Sequence, residues 1–97
     1  MGKRELYIDK LAAQLKEWSA QIDVLKARAD KAAAETKIEL NKQVEVLDKK
    51  RQEVNEKLHQ IKEASEDAWE SLRAGTEKAW GDLKEAVGSA IEKFKGK

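Results

Sequence analysis

The sequence predicts an all-α fold: a long amphipathic helix that forms a coiled coil or helical bundle by self-association. Three observations predict it. Proline is absent, and only five glycines occur in 97 residues, none of them between residues 3 and 74. Ala, Leu, Glu, Lys, Gln and Arg dominate, and these are the strong helix formers. Apolar residues recur in steps of three or four from Ile8 to Phe94 without losing phase, at a mean of about 3.6 residues, the period of an α-helix.

Residues 3–57 read as heptads. Ile8, Leu15 and Ile22 take position a, and Leu11, Trp18 and Leu25 take position d. Position e carries the small residues Ala12 and Ser19, so a second flank of this helix can be covered. That favours three or four packed helices over a two-stranded rope. The next stretch, residues 26–37, is rich in alanine and carries the stripe on Ala29, Ala32 or Ala33, and Thr36. Alanine is the best helix former, so the expectation here is continued helix with a thin core rather than a connector. From Leu40 the stripe resumes through Val44, Leu47, Val54, Leu58 and Ile61, with Arg51 interrupting it.

Residues 58–95 repeat every eleven. Position one holds Leu58, Trp69, Trp80 and Ile91; position four holds Ile61, Leu72, Leu83 and Phe94; position five is basic throughout, as Lys62, Arg73, Lys84 and Lys95. Eleven residues are three helical turns at about 3.67 residues each, so every repeat returns to one face. Together the two patterns describe a single unit over residues 1–97. The expected element is one helix from about Lys3 to about Phe94, on the order of 135 Å long at 1.5 Å per residue. The alternative is a helical hairpin with a turn between residues 65 and 89, where Gly75, Gly81 and Gly88 each precede a capping residue.

A lone amphipathic helix cannot bury its own stripe, so a partner surface must do it. The chain therefore self-associates, folds back on itself, docks on another protein or lies on lipid. The packing residues expected are Ile8, Leu11, Leu15, Trp18, Ile22, Leu25, Leu40, Leu47, Val54, Leu58, Ile61, Trp69, Leu72, Trp80, Leu83, Ile91 and Phe94. The expected partner is a second copy, in a homo-oligomer of three or four helices, closed or filamentous. A rival reading is peripheral binding to a lipid surface by residues 58–95. Trp69, Trp80 and Phe94 would then enter the interface, with Lys84 and Lys95 at its edge.

Composition excludes other classes. Charged residues make up 40% of the chain yet nearly cancel, leaving a net charge of +1, so no electrostatic footprint for nucleic acid exists. No run of apolar residues approaches 18, and residues 1–10 lack an apolar core, so neither a membrane span nor a secretory signal is expected. The expectation is a soluble cytoplasmic protein. With no cysteine and a single histidine, thiolate and multi-histidine metal sites are ruled out. Glu56 and His59 match the spacing of di-iron helical bundles. They fall on the polar side of the wheel, however, so His59 reads as a solvated histidine. Glu63, Glu66, Glu70 and Glu77 form an acidic stripe without a cleft to perturb them. No catalytic residue, cofactor, metal or small-molecule substrate is expected.

Residues 7–32, beginning Tyr7-IDKLAAQLKEWSAQ, and residues 62–95, with EASEDAWE followed by AW, L and A, resemble a family of small bacterial coiled-coil proteins. Its members are stress-responsive proteins of cyanobacteria, with similar proteins across the proteobacteria. The resemblance implies a helical, non-enzymatic protein with a structural, scaffolding or stress-protective role. It carries over no catalytic residues.

Overall fold

The computed structural model describes residues 2–95. It contains three helices, α1 (Lys3–Lys31), α2 (Ala34–Glu63) and α3 (Trp69–Lys95), and no strand among the described residues. Helices of this length span about 45 Å at 1.5 Å per residue, and the molecule measures 51 × 20 × 18 Å. Cross-chain contacts set the direction of each helix. Lys26 of α1 pairs with Asp48 of α2, so those two run antiparallel. Tyr7 meets Trp69, Trp18 meets Trp80, and Arg28 reaches the Phe94 carbonyl, so α3 runs parallel to α1. The result is an up-down-up three-helix bundle.

The continuous helix expected from the sequence is broken twice, and the 135 Å rod is corrected to a bundle about 51 Å long. The first break is at Ala32 and Ala33, both with extended backbone. The second spans residues 64–68 and coincides with the start of the window in which a hairpin turn is expected. Gly75, Gly81 and Gly88 stay helical. The reason lies in the balance of energies. A break forfeits a few backbone hydrogen bonds, each contributing about 1 kcal/mol net. Folding back buries side chains such as Leu25, Leu40, Leu47 and Val54, each 3% exposed or less, at about 1.5–3 kcal/mol apiece.

Local chemistry supports the second break. The Ser65 carbonyl accepts from the N–H groups of Ala68 and Trp69, which starts the turn that leads into α3. Arg4 donates to the Ala64 carbonyl and to Glu66, so α1 clamps this turn from across the bundle. The first break is held by backbone alone among the described residues: Ala32 donates to the Ala29 carbonyl, the Ala33 carbonyl accepts from Lys37, and no side chain caps the start of α2.

The core is the stripe. Ile22, Leu25 and Ala29 of α1 meet Leu40, Val44, Leu47 and Val54 of α2 and Ala79, Leu83, Val87, Ala90 and Phe94 of α3. Leu11, Leu58, Ile61 and Trp69 are buried as well, at the end where Tyr7 and Trp69 touch. The change from heptads to eleven-residue repeats at residue 58 falls inside α2 without a mark on its backbone. Periods of 3.5 and 3.67 straddle the helical 3.6, so one helix accommodates both. Thr76, an apparent interruption of the stripe, is fully buried. Its hydroxyl donates back to the Leu72 carbonyl at 3.1 Å, which offsets the cost of removing it from water. Arg51, the other interruption, is half-buried and pairs with Asp48 at 3.1 Å.

Candidate functional site

A three-helix cross-section covers one flank of each helix and leaves a groove between neighbours. One such groove runs between α1 and α2. Toward the start of α1 it widens into a cleft of about 580 Å³, with Ile8 and Ala12 on one wall and Asn55, Leu58, His59 and Lys62 on the other. It continues past Leu15 and Ser19, opposite Arg51 and Gln52. Ile8, Leu15 and Ser19 are half-buried and Ala12 is exposed. These are the a and e positions of the heptads. The second flank that the small residues open is thus left uncovered within the single chain.

The rim of this cleft carries both charge signs, Glu56 and Lys62. His59 stands beside them, exposed and 4.0 Å from the Glu63 carboxylate. Glu56 and His59 belong to no wider ligand set: among the described residues no three His, Cys, Asp or Glu side chains lie together as metal ligands would. The acidic stripe is solvated, and three of its members are paired, Glu63 with His59, Glu66 with Arg4 and Glu77 with Arg73.

The aromatic face of α3 is occupied from within. Trp69 and Phe94 are buried, and Trp80 is half-buried against Trp18, with ring centroids 4.4 Å apart. Lys84 and Lys95 are exposed. Of the expected packing residues, Ile8, Leu15, Trp18, Leu72, Trp80 and Ile91 are half-buried and the remainder are buried; all face the other helices of the same chain or the grooves between them.

Two residues matter more than their sequence pattern suggests. Tyr7 lies against Trp69, with centroids 6.0 Å apart, and under the Arg73 guanidinium, 5.1 Å from its ring centre. Its hydroxyl is buried without a hydrogen-bond partner among the described residues. Burial lifts that hydroxyl above the ordinary tyrosine range; the Glu77 carboxylate adds to the rise and Arg73 opposes it. Arg4, the clamp on the second turn, is the other. Neither breaks the heptad pattern, and contacts 60 or more residues apart in sequence have no local signal.

The fold and its surface define the class: a small antiparallel bundle of three amphipathic helices with an uncovered groove. None of its helices, among the described residues, is long and apolar enough to cross a membrane. Comparison with protein-family models, curated proteins and solved structures gives no match for this chain.

Proposed function

We propose that this protein is a non-enzymatic helical bundle that acts by assembling with copies of itself, in a structural, scaffolding or stress-protective role. The observation that carries the proposal is the groove between α1 and α2. Ile8, Ala12 and Leu15 line it with apolar and small side chains, the surface that a further helix needs for close packing. A second copy suits its rim. In a twofold contact each surface meets itself reversed, so an axis crossing α2 at His59 sets Lys62 of one copy against Glu56 of the other. The resemblance of residues 7–32 and 62–95 to stress-responsive coiled-coil proteins supports the same role.

Light scattering across concentration tests it. The mass is expected to rise above the 11.0 kDa of one chain. Ala12→Glu, a change at an exposed position, sets a charge in the groove and is expected to return the protein to one chain without loss of helicity. A wild-type mass of 11.0 kDa from micromolar to millimolar overturns the proposal.

A second reading, peripheral lipid binding, is favoured by one observation. Of the three helices, α3 separates its apolar and polar faces most sharply, and Lys84 and Lys95 lie exposed. Because that face is packed inside the bundle, lipid contact requires α3 to swing out on the turn at residues 64–68. Anionic vesicles would then shift the tryptophan emission to the blue and carry the protein in flotation. An unchanged spectrum rejects the lipid reading and leaves assembly in place.

A further inference from the structure

The two turns of this bundle are built differently, and the difference has a consequence for assembly. We propose that α1 is exchanged between copies. The hinge at Ala32–Ala33 straightens, α1 and α2 become one helix, and the α1 of each copy packs on α2 and α3 of a second copy. The exchange rests on the self-assembly proposed above, and joins the copies through the hinge rather than through the groove.

Four observations point to this hinge. The turn lies in Lys31-Ala-Ala-Ala-Glu35, a run of the best helix former held in extended backbone, φ −74° and ψ 159° at Ala32 and φ −62° and ψ 154° at Ala33. Local preference and observed conformation therefore disagree, the condition that favours swapping. Alanine is a poor N-cap and no side chain takes its place at the start of α2, so the orphan N–H groups there gain partners when the helix runs through. Ala33 is exposed and borders an open space of about 340 Å³, so of the two hinge residues only Ala32 packs on the core. Finally, the stripe keeps phase across the hinge, from Leu25 and Ala29 through Thr36 to Leu40. A straightened helix thus presents one continuous apolar face.

Topology allows the exchange without new chemistry. α1 runs antiparallel to α2 within the bundle, so two straightened helices lying antiparallel and centred on their hinges set each α1 against the other copy's α2. Every contact of the closed form is rebuilt between copies, including Trp18 on Trp80 and Arg4 on the second turn. The small residues at the hinge let the two long helices cross closely. The product is two bundles end to end, with a joined helix over residues 3–63 about 90 Å long at 1.5 Å per residue.

Ala33→Pro tests the hinge directly. Ala33 already has the φ that proline imposes, and Ala32 already has the extended backbone required before a proline. The closed bundle therefore accepts the change and the straight helix does not. Wild type refolded at high concentration is expected to give a dimer with a longest dimension near 90 Å in small-angle scattering. In Ala33→Pro the dimer is expected to weaken roughly 100-fold or more, from the helix-interior proline at each hinge. A second measurement does not depend on that variant. Lys26 Nζ and the Asp48 carboxylate meet at 3.2 Å, close enough for a carbodiimide to join them as an amide. In a dimer refolded from isotope-labelled and unlabelled chains, that amide is expected to link Lys26 of one copy to Asp48 of the other. A compact dimer that survives Ala33→Pro and forms this amide only within single chains refutes the exchange while leaving assembly through the groove. A mass of one chain in every preparation refutes both.

Discussion

Replacing Trp18 and Trp80 by alanine, singly and together, measures the contact that ties α1 to α3. The indole rings lie 4.4 Å apart between centroids and tilted by 35°, close enough for direct π contact. Truncating a fully buried tryptophan costs about 3–5 kcal/mol. Both rings are mostly but not fully buried, so each single replacement should cost about 2–4 kcal/mol, scaled from that figure. The pair should add a coupling of about 0.5–1.5 kcal/mol beyond the area it buries. Stability of a chain this size is about 5–15 kcal/mol, so each single variant remains folded and the cycle can be closed. Urea unfolding at low micromolar concentration, followed by far-ultraviolet dichroism, gives each free energy, with an unchanged slope showing that the same surface is exposed. A coupling within about 0.3 kcal/mol of zero, the additivity expected of independent sites, would refute the bundle. A straight helix would hold these residues about 90 Å apart at 1.5 Å per residue, and no coupling would survive that distance.

Other outcomes follow from the same structure. Leu83→Ala empties a fully buried position and should cost about 2–5 kcal/mol in the same unfolding measurement. Gly75→Ala and Gly88→Ala should each stabilise by about 0.5–1 kcal/mol, because both are helical and an added methyl meets nothing within 4 Å; a loss of stability would mean that the helix is bent there. The raised Tyr7 hydroxyl predicts an alkaline limb. The folded state holds that proton more tightly than the unfolded chain, so its contribution is intact below the ordinary tyrosine value of about 10 and is lost as pH climbs through the higher folded value. Tyr7→Phe should remove that limb in a pH series of unfolding curves. At neutral pH it should change stability by less than about 1 kcal/mol, since the hydroxyl is buried with only Arg73 to offset its removal from water.

Much of the bundle is legible in the chain because helix period and propensity are local. Leu58, Trp69, Leu83 and Phe94 fall on one face at eleven-residue spacing whatever the helix packs against, and they are buried in the structure. The groove has a sequence trace too, in the small residues Ala12 and Ser19 beside Ile8 and Leu15. The turns differ in legibility. The second falls at the start of the window 65–89 where a hairpin is the alternative expectation, ahead of the glycines that suggested it, whereas the first lies in a run of alanines that reads as helix.

The sequence alone determined that the chain is helical and which side of every turn is apolar, because both follow from interactions within four residues. Only the tertiary structure decided where the chain folds back. That choice is made by residues such as Leu25, Leu47 and Leu83, which join one core from three separate helices. Their burial outweighs the local preference of Ala32 and Ala33, and no residue at the turn carries a record of it.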